Sequence, residues 1–239
     1  MDCNKLLKVN PEIEKYINNI PENIRDKFSL ITYSPNTIIH QKDTYIKSLG
    51  IVLKGSIKVI SEFENGSVYM IERNDAICFI GEVTLLSGNE KSSVAIECVT
   101  ECVVAYISKD DFNYWVNNDN NFLKILCTDI SRKLYLASYD KGEYIFYPSK
   151  YTLLKFIKKT AHKMGIENSD NIKITKTRQE ISEEIGITLK TLNRTISGLR
   201  DEKVIDIEKG KIKVSREQYE KFPIFMEKYM RQGKNGVSV

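Results

Sequence analysis

The chain has 239 residues, of which 41% are hydrophobic and 28% are charged, a composition typical of a soluble globular protein of two modest domains. No apolar run approaches the roughly 20 residues that a membrane-spanning helix requires. The N-terminus carries acids and lacks the apolar core of a signal peptide. We therefore expect a cytoplasmic protein with no membrane partner.

The net charge of +4 conceals two unlike halves. Residues 1–120 hold 12 Lys and Arg against 17 Asp and Glu, a net charge of −5, whereas residues 121–239 hold 24 against 15, a net charge of +9. This asymmetry indicates a nucleic-acid-binding domain joined to a domain that binds no polyanion.

Short β-prone runs separated by turns occupy the chain from Phe28 to Ile107. Asn65-Gly66, between two alternating runs, predicts a hairpin. Strands this short and regular predict a jelly roll or closed barrel, which can hold one ligand among its side chains. The predicted strands are Phe28–Tyr33, Thr37–His40, Leu49–Lys54, Ile57–Glu62, Val68–Ile71, Ile77–Ile80, Val94–Val99 and Cys102–Ile107.

Cysteine and histidine usage argues against a metal or haem site. The five cysteines form no C-x-x-C pair, so buried thiols are expected rather than disulfides. Cys98 and Cys102 share the same parity and should point to one side, which leaves an oxidation sensor as an alternative. Of the two histidines, only His40 lies in the predicted barrel. A metal oxygenase on such a barrel needs two or three histidines and a carboxylate, so we expect no enzyme.

Two helices are predicted after the barrel. Ser108 should cap the first through the pattern Ser-Lys-Asp-Asp. The second runs from Asn121 to about Lys141, and its apolar stripe either packs on the barrel or forms a seam between two subunits. Gly142 and the segment 147–149 interrupt the helical pattern and predict a hinge. The stripe comprises Phe122, Ile125, Leu126, Ile130, Leu134 and Ala137.

A helix-turn-helix is predicted over Ile174–Arg200. Thr177 and Glu180 form a capping box, Gly186 supplies a positive φ at the turn, and Thr188 caps a second, basic helix. Such a helix fits the DNA major groove. Two amphipathic helices joined by glycine also occur as plain packing units, which is the alternative.

The segments around this motif add to its meaning. Ser149 is expected to cap a helix over Lys150–Lys163 that carries five lysines and no acids. Val204–Ile207 and Lys211–Val214 predict a hairpin directly after the second helix, as in a winged helix. Its lysines Lys209, Lys211 and Lys213 are placed to touch phosphate. A further helix is expected from Tyr219 to Arg231, followed by a disordered end over Gln232–Val239.

The succession IVLKGSIKVI, ENGSVYMI, FIGEVTLLSG and KSSVAIECVTECVVAYIS resembles a cyclic-nucleotide-binding domain. With the winged helix-turn-helix behind it, the chain resembles the Crp/Fnr family of bacterial transcription regulators from Tyr33 to Val214. The resemblance implies an α+β fold: an N-terminal jelly-roll barrel over 1–118, a dimerisation helix and hinge over 119–147, and a winged helix-turn-helix domain over 148–239.

The resemblance also implies an effector site. Gly81 and Glu82 match the phosphate-binding cassette, where the acid accepts from a ribose hydroxyl. Lys91-Ser92 stand where cAMP receptors carry Arg-Ser, and lysine lacks the fork that grips two phosphate oxygens. A Thr-Ser pair that reaches adenine in those receptors is matched here by Ala137 and Ser138. The effector is therefore unknown: cAMP is disfavoured, and a turn glycine and solvated acid retained without any ligand are the alternative.

Sequence-specific binding to a palindromic site on double-stranded DNA by a homodimer is the implied function. Thr177 and Arg178 are expected to contact the DNA backbone. Arg194 matches a family arginine that reads guanine, because its fork meets O6 and N7. Leu189 and Lys190 replace an Arg and a Glu, so the target should differ from that of the cAMP receptors. The second-helix candidates are Thr188, Leu189, Lys190, Thr191 and Arg194.

Three matters remain open at this stage. The barrel either binds a small-molecule effector, senses a redox signal, or is a structural remnant in a regulator that is always competent. RNA polymerase is a further candidate partner. A nucleotide-binding module that regulates a protein partner, with a helical tail used only for packing, is the rival reading.

Overall fold

The structure, a computed structural model, describes residues 3–64 and 66–234, and the side chains of all of these except 139–146 and 232–234. The chain divides into two compact units, residues 1–135 and 136–239, and the boundary falls inside one long helix. Among the described helices, none is both long and apolar enough to cross a bilayer.

Two short helices open the first unit, α1 (Cys3–Val9) and α2 (Glu14–Ile17), with 3-10 turns at Pro11–Ile13 and Glu22–Ile24. The sequence pattern did not predict them, because segments of four to seven residues are too short to display a helical period. Their apolar residues Leu6, Ile13, Ile17 and Ile24 are buried in the same core cluster as Leu49 and Ile51 of the barrel.

Eight strands form two antiparallel four-stranded sheets, with orders β1-β8-β3-β6 and β2-β7-β4-β5. This arrangement confirms the predicted jelly roll, and every predicted strand overlaps an observed one. The strands are β1 (Ser29–Tyr33), β2 (Ile38–His40), β3 (Ser48–Lys54), β4 (Ser56–Glu62), β5 (Val68–Asp75), β6 (Cys78–Ile80), β7 (Ala95–Cys98) and β8 (Cys102–Ser108). The hairpin of β4 and β5 pairs Glu62 with Val68; Asn65 of the predicted turn lies outside the described residues.

Strand β3 separates two cores because both of its faces are buried. Leu49, Ile51 and Leu53 pack with the helices that cover the sheet, whereas Val52 faces the second sheet. Successive side chains of a strand point to opposite faces, so one continuous apolar run serves both cores.

Three helices complete this unit: α3 (Glu82–Leu86), α4 (Lys109–Asn118) and α5 (Asn120–Phe146). Ser108 caps α4 as predicted, accepting from the Asp111 N–H. Asp119 starts α5, since its Oδ1 accepts from the N–H groups of Asn121 and Phe122 at 3.0 and 3.1 Å. Its Oδ2 accepts from Trp115 Nε1 at 3.1 Å, so a nearly buried carboxylate is fully used.

The apolar stripe of α5 has two different environments. Phe122 and Leu126 are fully buried in the barrel's outer core, and Phe122 stacks on Trp115 with ring centroids 3.7 Å apart. Leu134 is 65% exposed. The predicted end near Lys141 was wrong, because the helix passes through Gly142 to Phe146 and stops before Pro148, which cannot continue its hydrogen bonding.

In the second unit, α6 (Ser149–Lys163), α7 (Arg178–Ile185) and α8 (Leu189–Asp201) pack around one apolar core with α9 (Arg216–Lys234). The predicted role of Ser149 was wrong. Pro148 is the N-cap of α6 and Ser149 is its first helical residue, with its hydroxyl 3.0 Å from that of Thr195 on α8.

The wing is a three-stranded sheet of order β10-β11-β9, made of β9 (Asn171–Lys173), β10 (Asp206–Glu208) and β11 (Lys211–Ser215). Glu208 pairs directly with Lys211, so the turn is the two-residue Lys209-Gly210, with φ of 48° and 77°. Two positive φ values in a two-residue loop match the twist of a hairpin. Helix α9 includes residues 232–234 of the end predicted to be disordered; 235–239 lie outside the described residues.

Candidate nucleic-acid interface and effector site

The helix-turn-helix is built by the local rules that predicted it. The Thr177 hydroxyl accepts from the Glu180 N–H at 3.1 Å, and the Glu180 carboxylate accepts from the Thr177 N–H at 2.6 Å. Gly186 ends α7 with a φ of 67°, and Thr188 caps α8 by accepting from the Thr191 N–H at 3.2 Å. The turn between α7 and α8 is therefore held by satisfied backbone groups.

Helix α8 has one buried and one exposed face. Leu192, Thr195, Ile196 and Leu199 are buried in the unit's core. On the other side, Thr188, Leu189, Lys190 and Arg194 are exposed, and Thr191 is partly exposed. Lys190 and Arg194 lie one turn apart and form no ion pair or hydrogen bond with any residue the structure describes. The five candidates of the second helix thus share one solvent-facing surface.

Asn193 and Ser197 belong to this surface but were not among the sequence candidates. Both are exposed, and the spacing 190, 193, 194, 197 places them on the face of Lys190 and Arg194. Their polarity opposite the apolar stripe was the available signal. We call the set Lys190, Asn193, Arg194 and Ser197 the α8 polar face.

Arg178 contacts the wing rather than pointing freely into solvent. Its Nη2 donates to the Gly210 carbonyl at 3.2 Å, while its Nη1 is buried and has no hydrogen-bond partner among the described residues. Burial lowers the pKa of this guanidinium from its ordinary value. The side chain therefore retains an unused donor beside the turn of the wing.

Two of the three wing lysines are occupied by the protein itself. Lys211 Nζ donates to the carbonyls of Thr175 and Lys176 at 2.6 and 3.2 Å. Lys213 lies 3.7 Å from a Glu208 carboxylate oxygen. Only Lys209, at the exposed tip, keeps the role expected of all three.

In the barrel, the residues of the expected effector cassette are bound internally. Gly81 has a φ of 88° and begins α3, and an added Cβ would lie 3.1 Å from Ile46 and 3.2 Å from the Ser48 carbonyl. Glu82 is only 4% exposed, and its carboxylate accepts from Lys133 Nζ at 2.9 Å. Sequence reasoning missed Lys133, because its partners lie some 50 residues away in the chain.

Lys133 is the centre of a cluster of acids. Besides Glu82, its Nζ lies 3.0 Å from Asp129 and 3.6 Å from Glu72. Burial alone would lower the pKa of Lys133, but these carboxylates raise it above its ordinary value. Burial raises the pKa of Glu82, an effect that Lys133 reduces without cancelling. The acid expected to receive a ribose hydroxyl already has a cationic partner.

The other cassette residues are also engaged. Ser92 is 3% exposed, donates to the Val94 carbonyl at 2.9 Å and accepts from its N–H at 3.2 Å. Lys91 Nζ lies 5.0 Å from the centre of the Tyr45 ring. Ser138 is exposed on α5, in the second unit. Within the first unit, the structure brings together Gly81, Glu82 and Ser92 around one cavity.

That cavity has a volume of about 70 Å³. Since a water molecule occupies about 30 Å³ of liquid and small-molecule pockets typically measure about 300–1,000 Å³, it has room for two waters and not for a nucleotide. A second cavity of about 540 Å³ lies beside it, and both are lined by His40 and Gly81.

The barrel thiols are buried in one cluster. Cys78, Cys98 and Cys102 face the space between the two sheets, with Cys98 and Cys102 on the same side, as their parity predicts. Burial raises the pKa of Cys98 to about 12, and Cys102 raises it further. Such thiols are poor nucleophiles at neutral pH. Within the described residues, no three His, Cys, Asp or Glu side chains are placed to share a metal ion.

Comparison with known families identifies both domains. The family model of the cyclic nucleotide-binding domain matches residues 30–119, and that of the Crp-like helix-turn-helix domain matches residues 151–219. The two domains occur in this order and between them cover most of the chain. The chain belongs to the Crp/Fnr family of transcription regulators.

Individual relatives agree with this assignment. The chain is 28% identical over 176 residues to the cAMP-activated global transcriptional regulator CRP of Salmonella typhimurium, covering 72% of this chain and 82% of that protein. The c-di-GMP responsive global regulator CLP of Xanthomonas campestris has the same fold, with a TM-score of 0.71, 14% identity, and coverage of 84% of this chain and 97% of CLP. A CooA mutant of Carboxydothermus hydrogenoformans aligns with a TM-score of 0.65 and 14% identity, over 86% and 90% of the two chains.

Proposed function

We propose that this Crp/Fnr-type regulator acts as a homodimer that binds a palindromic operator in double-stranded DNA, under control of a signal received by the barrel. The α8 polar face carries the proposal, because its charged side chains are exposed and have no partner among the described residues. A helix with an apolar face packed into its domain and an unpaired basic face in solvent is suited to the major groove.

The chemistry of each side chain suggests its role on DNA. Arg194 can read guanine through O6 and N7, and Asn193 can read adenine through N6 and N7. Leu189, 41% exposed, suits a thymine methyl group. Lys190 suits guanine or phosphate. Thr188 and Thr191, which cap α8, are assigned to the edge of the same surface.

Phosphate contacts are assigned to residues around α7 and the wing. Arg178 has an unused buried donor next to Gly210, and a phosphate oxygen would satisfy it. Thr177 is exposed at the N-terminus of α7, where N–H groups favour anions. Lys209 extends from the tip of the wing. These contacts would position the protein without adding sequence information.

We assign residues 119–147 to dimerisation and to a hinge, between an effector domain over 1–118 and a DNA-binding domain over 148–239. Leu134, Tyr135 and Leu136 of α5 are 65%, 72% and 50% exposed. Apolar side chains of this size on one helix favour burial against a second copy. A two-fold axis would place two α8 helices about 34 Å apart, which requires a palindrome.

Within this function, we favour a regulator that binds DNA without a cyclic nucleotide. Glu82 is paired with Lys133, Ser92 is used by its own turn, and the cavity between them measures about 70 Å³. A nucleotide would have to displace the Lys133 ion pair and expand this space. The relatives' names describe transcription regulators rather than enzymes, and we propose no catalytic role. The chain would act in the cytoplasm, with RNA polymerase as a candidate partner.

Selection of random duplex DNA by the purified protein tests the proposal, in parallel arms without ligand and with cAMP. We expect one palindrome to be enriched equally in both arms. Enrichment only with cAMP would overturn the ligand-independent version and keep the regulator. A single half-site would contradict the dimer, and no enrichment in either arm would contradict sequence-specific binding by the protein alone.

Leu134→Glu separates dimerisation from DNA reading. We expect this variant to sediment as a monomer and to lose affinity for the full palindrome, while its isolated folding is unaffected because the side chain is 65% exposed. The matched control is Tyr114→Glu, at a 45% exposed apolar position on α4 outside the proposed interface. Dimers that persist in Leu134→Glu would place the interface elsewhere.

A further inference from the structure

We infer that the larger barrel cavity is a binding site for a small amphipathic carboxylate, an apolar body carrying one acid group, and that it is distinct from the cyclic-nucleotide cassette. Its volume of about 540 Å³ lies within the range of small-molecule pockets. The cavity of the cassette, at about 70 Å³, does not.

The walls of this cavity are apolar and aromatic. Ile80 is buried, whereas Ile31 is 44% exposed although it is a large apolar side chain on a strand. Tyr45, also on the wall, is 59% exposed. Apolar surface left open to solvent next to buried apolar surface gives the body of a ligand something to cover.

Polar groups inside the cavity have unused hydrogen-bonding capacity. The Tyr33 and Tyr106 hydroxyls lie 3.0 Å apart, so one donates to the other and the second hydroxyl keeps a proton to donate. His40 Nε2 is buried and has no partner among the described residues. A few convergent polar groups in an apolar pocket are typical of ligand sites.

Charge decides between an acidic and a basic ligand. Lys27 and Lys47 line the cavity, and no Asp or Glu is among its described lining residues. Lys27 is paired with Asp111 outside the lining. Lys47 is exposed and has no carboxylate partner within the described part of the chain, and Lys91 adds a third cation over the Tyr45 ring. A carboxylate is therefore attracted to this opening, and an amine is repelled.

Calorimetric titration of the full-length protein, without DNA, tests the site independently of operator binding. The probes are phenylacetate and octanoate, each compared with its uncharged amide. We expect at least one acid to bind with a Kd about tenfold or more below that of its amide, and the two bodies distinguish an aromatic from an aliphatic ligand. Binding of neither acid would overturn the inference, as would equal binding of acid and amide.

Three variants locate the binding. Lys47→Glu should raise the Kd of the acid about tenfold, with little change for the amide, and Lys5→Glu on exposed α1 is the charge-matched control that should change neither. Ile31→Trp should fill the cavity and abolish binding, with thermal melting used to verify folding. Loss in Lys5→Glu equal to that in Lys47→Glu would mean general charge attraction. Unchanged binding in a folded Ile31→Trp would place the ligand elsewhere.

Discussion

The two units of this chain treat their candidate recognition residues in opposite ways. In the barrel, the carboxylate of Glu82 and the hydroxyl of Ser92 are buried and already bonded to other parts of the protein. In the helix-turn-helix, Lys190 and Arg194 are exposed and have no partner in the described structure. A shared family pattern can therefore be ready for use in one domain and closed on itself in the other.

The reason lies in what surrounds each set. The cassette lies against α5, and Lys133 on that helix supplies a cation directly to Glu82. The α8 polar face has no element packed over it in its own unit, since the core contacts all come from the opposite face. Recognition groups remain available only where the fold leaves them uncovered.

Removing the cation of the barrel is expected to have the largest effect. Lys133→Ala leaves Glu82 buried beside Asp129 and Glu72 without compensation, and breaking a buried pair in this way costs about 3–5 kcal/mol. Urea unfolding measures the loss. Glu82→Gln in the same chain should restore part of it, as a double-mutant cycle would show. Additive effects of the two changes would mean that the pair is not coupled.

A network in the second unit should show a smaller, pH-dependent effect. Burial raises the pKa of Glu202, but bonds from Lys150, Lys228 and Tyr229 outweigh it and hold the pKa at about 2, below its ordinary value of 4.5. A depressed folded-state pKa stabilises the fold at neutral pH, and that contribution is lost as pH falls from about 4.5 to 2.

Glu202→Gln tests this network. We expect a loss of about 1–3 kcal/mol at pH 7, the range for hydrogen bonds to a charged group. The loss should shrink toward pH 2 in thermal melts recorded as a function of pH. The control is Glu220→Gln on exposed α9, which should change little at any pH. A loss that did not depend on pH would indicate packing rather than charge.

The reading face is tested by Arg194→Ala. We expect stability to be unchanged and discrimination to fall by about 1–3 kcal/mol at one base pair, since a bidentate contact to guanine is lost. Binding to a panel of single-base operator variants measures this. Arg200→Ala, a control at an exposed position of α8 whose guanidinium is paired with Asp201, should leave discrimination intact. Equal weakening on every sequence would make Arg194 a phosphate contact.

The capping box should give the smallest effect. Thr177→Ala removes the acceptor of the Glu180 N–H, and losing such a cap costs about 1 kcal/mol of stability. If Thr177 also contacts phosphate, DNA affinity should fall by a similar factor on all sequences. Thr177→Ser keeps the hydroxyl and should behave as the parent in melting and in binding. A cost in Thr177→Ser equal to that in Thr177→Ala would point to the methyl group instead.

The sequence by itself determined the features that depend on neighbours in the chain. Alternation and turn residues predicted the eight strands, and the pattern Thr177, Glu180, Gly186 and Thr188 predicted both helices and the turn between them. Backbone hydrogen bonding and positive φ are local properties, so the residues that impose them can be read in order along the chain.

Only the tertiary structure decided which side chains remain available. The pairing of Glu82 with Lys133, the contact of Arg178 with Gly210, the use of Lys211 by the carbonyls of α7's leading segment, and the cavity beside His40 all join residues far apart in the sequence. Periodicity assigns a side chain to a face but does not say what covers that face. Packing brings distant charges together, and the low dielectric of the interior then makes their pairing obligatory.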